Sequence, residues 1–181
     1  TARNTVDTGF LLMINNIKKF EPFIGREKLH TTLKMIIIRS ELSTNTDWEN
    51  KNWESYSKIL TKKYSSFAEE ALFDIKTINF QSEKKWSKYA ETIEEYLLKH
   101  SLSNSQLNEF AWTIFSNCPD RNILKKALKW SKMSFTSQKI VEPGFIDTYA
   151  NLLYKVGRKN EALKWEMKAQ RIAVENGADK N

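Results

Sequence analysis

One cysteine, two histidines, three prolines and five glycines among 181 residues exclude several large classes of protein. The lone Cys118 rules out an internal disulfide and any cysteine-based zinc cluster. No His or Cys group has ligand spacing, so no metal and no cofactor is expected. So few turn formers argue against a sheet protein with many reversals. No apolar run approaches the ~18 residues needed to span a bilayer; Phe10-Leu11-Leu12-Met13-Ile14 stops after five. No membrane span is expected. The first residue is Thr1 and no signal-peptide pattern follows, so the chain reads as a processed product or a piece of a longer one.

What is present points to a packed helical protein. Apolar residues make up 40% of the chain, with six Trp, six Tyr and ten Phe, too rich a composition for disorder. The net charge of +7 is unevenly spread. Residues 1–117 hold 16 Lys+Arg against 15 Asp+Glu, whereas residues 118–170 hold 11 against 5. Such a basic half can steer nucleic acid or an acidic peptide. Lys125, Lys126, Lys129 and Lys132, however, fall where the polar face of a helix would lie, which favours a solvated face.

Nine helical segments follow from periodicity and punctuation. The first covers Asp7–Lys19, closed by Pro22 and Gly25. The second covers Arg26–Glu41, with Leu29, Leu33, Ile36 and Ile37 on one face and His30 beside them as a packing or surface residue. Thr46 and Glu49 fit a capping box opening the third, which runs to Lys63 with Trp53, Tyr56, Leu60 and Tyr64 inward. The fourth spans Phe67–Asn79. The fifth spans Glu83–His100, where Lys99 and His100 meet the negative end of the helix dipole. Ser103 with Gln106 caps the sixth, which ends near Asn117. Pro119 breaks the chain and Asp120 caps the seventh, Arg121–Phe135. Pro143 opens the eighth, through Val156, and Gly157 separates it from a ninth that ends near Glu175. No strand signal survives, so the fold class is all-α.

Ala127-Leu128-Lys129-Trp130 returns 35 positions later as Ala162-Leu163-Lys164-Trp165. Repetition at a period of ~20–50 residues marks stacked supersecondary units. Ala127 and Ala162 would let backbones approach, with Leu128, Leu163, Trp130 and Trp165 filling the gaps between helix pairs. Asp147 through Ala169 is similar to a tetratricopeptide repeat: Ala150 stands at the close-packing position, Leu153 three further on, Gly157 at the turn, and Ala162 and Ala169 on the second helix. Glu166 occupies a place where an aromatic often stands. Leu107–Ser134 resembles a weaker copy with a longer turn.

Asn108-Glu109-Phe110-Ala111-Trp112, then Ala127-Leu128-Lys129-Trp130, then Asp147-Thr148-Tyr149-Ala150-Asn151-Leu152-Leu153-Tyr154-Lys155, also resembles the helical C-terminal region of thioredoxin-like proteins of the Bacteroidetes type. In those a Cys-x-x-Cys domain precedes the helices. Cys118-Pro119-Asp120-Arg121 supplies only one sulfur, so the resemblance implies an accessory region without redox chemistry of its own. It also implies a periplasmic or cell-envelope location.

The resemblance implies antiparallel helix pairs stacked as a short right-handed α-solenoid. Residues 1–100 would form divergent pairs and 101–181 the repeat-like pairs, in one continuous domain. It further implies a non-catalytic interaction module that binds a protein or peptide in a groove. Asn108 with Trp112, and Asp147 with Asn151, would line that groove, with Tyr154 and Lys155 near its rim. Alternatively, Asp147 caps the eighth helix and Trp112 belongs to the core. Acidic Asp147 argues against capture of a peptide C-terminus. Two other functions compete. Cys118 would serve a thiol–disulfide partner if the start of the seventh helix and Arg121 lowered its pKa. A basic helical repeat would read single-stranded RNA, although that needs many repeats and two are visible.

Overall fold

Asn16 divides the first amphipathic segment in two. Its N–H bonds back to the Met13 carbonyl at 3.2 Å and its side-chain amide to the Leu12 carbonyl at 3.0 Å, closing a short helix on itself. The computed structural model describes residues 7–45, 47–136, 138 and 141–177. Among them all regular structure is helical, and no strand occurs. The nine expected segments are all present, the first of them split. The chain forms two compact units, residues 1–84 and 85–181, so the segment that begins near Glu83 groups with the C-terminal helices.

The first unit contains α1 (Thr8–Asn15), α2 (Ile17–Ile24), α3 (Arg26–Thr44), α4 (Trp53–Tyr64), a single 3-10 turn (Ser65–Phe67) and α5 (Ala68–Ser82). Pro22, expected to punctuate, lies inside α2, and Gly25 alone ends that helix with φ +86°. The third expected helix also starts later than its sequence suggests. Asn52 caps α4, its side chain accepting from the Ser55 N–H at 3.0 Å. Thr46, the other half of the expected capping box, lies outside the described residues.

Leu29, Leu33 and Ile37 of α3 pack with Tyr56, Leu60 and Tyr64 of α4 and with Ala71 and Ile75 of α5, forming one buried cluster. His30 lies against Phe67 with ring centres 4.5 Å apart, a packing role. Glu41, only 4% exposed, sits in this apolar setting because donors surround it. The Tyr56 hydroxyl reaches it at 2.8 Å, the Tyr64 hydroxyl at 2.5 Å and the Lys63 ammonium at 2.7 Å.

The second unit contains α6 (Trp86–Leu97), α7 (Asn104–Asn117), α8 (Arg121–Thr136), α9 (Pro143–Lys155) and α10 (Lys159–Glu175). The Ser103 hydroxyl accepts from the Gln106 N–H at 3.2 Å, and the Gln106 side chain accepts from the Ser103 N–H at 3.0 Å, a complete capping box. Asp120 caps α8 by accepting from Asn122 and Ile123. Short turns fold α8 back along α7 and α10 back along α9, and α9 also packs against α7 and α8.

The two copies of Ala-Leu-Lys-Trp differ in burial. In α8, Ala127, Leu128 and Trp130 are all buried. In α10, Ala162 is buried and Trp165 is half-buried, but Leu163 is 63% exposed and fills no gap. The reason is the neighbours. Helix α8 has α6, α7 and α9 against it, while α10 packs chiefly on α9.

Candidate functional site

The six residues expected to line one groove fall into two groups. On α7, Trp112 is 44% exposed and its ring lies 5.0 Å from that of Phe115, so it is not a core residue. Asn108, one turn earlier, is half-buried, and its Oδ1 has no hydrogen-bond partner. Lys155 belongs with this group through contact. From the end of α9 its ammonium donates to the Phe115 carbonyl and lies 5.2 Å from the Phe115 ring. It thus satisfies a carbonyl near the C-terminal end of α7, where positive charge meets the helix dipole.

Asp147, Asn151 and Tyr154 form the second group. They occur at i, i+4 and i+7 on α9, along one face. Opposite them on α10 stand Lys159, Leu163 and Glu166 at the same spacing. Together with Ala150 and Ala162 these residues line an open recess of about 390 Å³. The two alanines form its floor, where small side chains keep the helices close. Asp147 lies in the second turn of α9, which begins at Pro143, so it does not cap that helix. Asn151 donates its amide to the Asp147 carbonyl at 3.1 Å.

The electrostatics of this recess are mixed. Asp147 and Glu166 approach closely enough to share a hydrogen bond. Burial, then the Asp147 charge and that bond, push the Glu166 carboxyl above its ordinary pKa. Lys159 stands at the Tyr154 end, its ammonium 5.5 Å from the ring centre. Tyr154 is 60% exposed, which with Leu163 gives the recess an apolar rim. Lys159, Leu163 and Glu166 were not anticipated from sequence. The i, i+4, i+7 spacing on α10 was visible, but the repeat match assigned Leu163 to the interior.

Two further features constrain the alternatives. Cys118 is fully buried at the end of α7. Burial raises its thiol pKa, and the Asp120 N–H and Lys155 offset this only in part. A reactive thiol requires the opposite direction. Of the four lysines placed on a solvated face, two are engaged. Lys126 pairs with Glu94 at 2.5 Å. Lys132 lies over the rings of Trp165, Phe135 and Tyr149 at 4.0, 5.0 and 5.2 Å. Those rings touch one another, so a cation holds α8, α9 and α10 together.

Among the described residues no group of three acidic, His or Cys side chains is arranged to hold a metal ion. No helix among them is long and apolar enough to cross a membrane. Compared with protein-family models, with curated proteins and with solved structures, the chain finds no match in any of the three.

Proposed function

We propose that the C-terminal unit is a tetratricopeptide-repeat-like, non-catalytic interaction module that holds a protein segment in the α9/α10 recess. We assign the chain to the accessory helical region of a thioredoxin-like protein. The observation that carries the binding role is the recess itself: an open, apolar-rimmed groove with charges of both signs, on the last helix pair of the described chain. The helix order supports the repeat-like reading. Helices α7 and α8 form one pair and α9 and α10 a second, and the first helix of the second pair leans on both helices of the first. Stacked pairs of this kind build a solenoid whose open faces bind extended or helical segments.

Within this reading Asp147, Asn151 and Tyr154 are contact residues, while Trp112 and Phe115 offer a neighbouring aromatic patch. The Asn108 Oδ1, although without a hydrogen-bond partner, is itself buried, so Asn108 is not assigned a contact with the bound segment. Lys155 acts as a brace between α7 and α9.

The test is a photo-reactive phenylalanine analogue in place of Tyr154, in cells that make the protein naturally, with Lys125 replaced as a control outside the recess. A discrete adduct from position 154 and none from position 125 is the expected result. Equal background labelling at both positions overturns the binding role. The coding sequence upstream of Thr1 tests the accessory role, since a thioredoxin domain there is what the assignment requires.

A further inference from the structure

The α9/α10 recess is the counterpart of a surface that is covered elsewhere in the same unit. On the preceding pair, α9 lies across α7 and α8; across α9 and α10 no helix lies among the described residues. The occupant of this second surface must match a particular charge pattern. Lys159 and Glu166 face it from α10 seven residues apart, about 10.5 Å along a helix, with Ala162 and Leu163 midway between them. Asp147 reinforces the negative end and Tyr154 lies beside the positive end.

A purely basic segment would satisfy the carboxylates but oppose Lys159, and an acidic one would do the reverse. A helix carrying a cation and an anion two turns apart, laid antiparallel, satisfies both ends. Helix α10 is itself such a helix. Turned about a two-fold axis between Ala162 and Leu163, it sets Lys159 of each copy opposite Glu166 of the other. The same rotation places each exposed Leu163 over the small Ala162 of the other copy. The interface is isologous, as closed dimers require.

Resting on the interaction-module reading, we propose that the partner of the α9/α10 recess is α10 of a second copy of this chain, paired antiparallel through reciprocal Lys159–Glu166 contacts around Leu163.

Sedimentation of the full chain at about 0.15 M salt tests this, because at that ionic strength long-range repulsion between +7 chains is screened beyond ~8 Å. A concentration-dependent dimer is expected. Lys159→Glu and Glu166→Lys should each weaken it by about tenfold or more, since each variant places like charges opposite one another twice. The double variant exchanges the signs and should restore most of the loss. Both positions are exposed, and circular dichroism of each variant checks that the helices persist.

A chain that stays monomeric up to millimolar concentration overturns the proposal, as does a dimer indifferent to the single variants or not rescued by the double. The photo-crosslink at position 154 separates the two readings. An adduct to the chain itself supports self-pairing. An adduct to another protein from a monomeric chain overturns self-pairing and keeps the module, and no adduct at all overturns both.

Discussion

The Arg121 guanidinium donates to the Val156 carbonyl at 2.6 Å, tying the start of α8 to the end of α9 across 35 residues. Beside that bond, Gly157 turns the chain at φ +89°, and a Cβ there would lie 3.0 Å from the same guanidinium nitrogen. The repeat turn and its brace are therefore one structure.

Arg121→Met keeps the aliphatic stem and removes the donor. It should destabilise the fold by about 1–2 kcal/mol, the value of a charged hydrogen bond to a helix end. Gly157→Ala should cost about 1–2 kcal/mol through the left-handed backbone alone. In the double variant the contact between Cβ and guanidinium is gone but the backbone strain stays. Urea unfolding of the three variants should thus show a combined loss smaller than the sum of the singles.

Glu41 gives the first unit an acid-sensitive core. Burial would raise its carboxyl, but hydrogen bonds from Lys63, Tyr64 and Tyr56 outweigh that, and its pKa lies below the ordinary carboxylate value. Because the folded pKa is the lower one, the stabilisation is complete above the unfolded value of about 4.3. It is lost as pH falls through the folded value. Glu41→Gln should cost about 1–3 kcal/mol at pH 7, and the gap to the unaltered protein should narrow in acid. Thermal melts at pH 7 and pH 3 check the sign; a gap that widens in acid contradicts it.

Trp130 and Trp165 occupy matched repeat positions but unequal surroundings. Trp130 is 2% exposed, so Trp130→Ala should destabilise by about 3–5 kcal/mol. Trp165 is half-buried and should cost less on truncation, about 1–3 kcal/mol. Part of that arises from Lys132, whose ammonium lies 4.0 Å from the indole centre. A double-mutant cycle of Lys132→Met and Trp165→Leu should return a coupling of about 0.5–2 kcal/mol. Equal losses at the two tryptophans would contradict the unequal packing.

Cys118 should resist modification in the native state. Its sulfur is shielded and its thiol titrates above the ordinary range. Reaction with an aromatic disulfide reagent at neutral pH should be slower by orders of magnitude in native protein than in urea. Rapid reaction without denaturant would revive the redox alternative.

Where a structural signal was local, the sequence showed it. Ser103 with Gln106, Asp120 before α8 and Gly157 after α9 each act within a few residues, and each stands where its chemistry required. The misreadings arose where two local signals competed or a neighbour decided. Asn16 has no glycine or proline beside it, and its break depends on bonds back to Leu12 and Met13. Asn52 prevails as the α4 cap, and Trp48 ahead of it stacks on Trp53 with ring centres 5.8 Å apart.

Leu128 and Leu163 share the same tetrapeptide, yet one is covered and the other bare, because α8 has α6 and α9 packed against it as well as its pair partner, while α10 packs chiefly on α9. The candidate recess is legible in part for the same reason: repeat spacing places Asp147, Asn151 and Tyr154 on one face of α9, whereas the α10 side depends on Leu163 facing out, which packing decides.

The sheltered sulfur at the end of α7 makes the chain a ready scaffold for attached reporters. A cysteine introduced at Tyr154 or Leu163 would be the sole thiol open to a dye or spin label in the folded protein. Separations between labelled molecules, or between label and bound segment, then become measurable without first deleting the native residue.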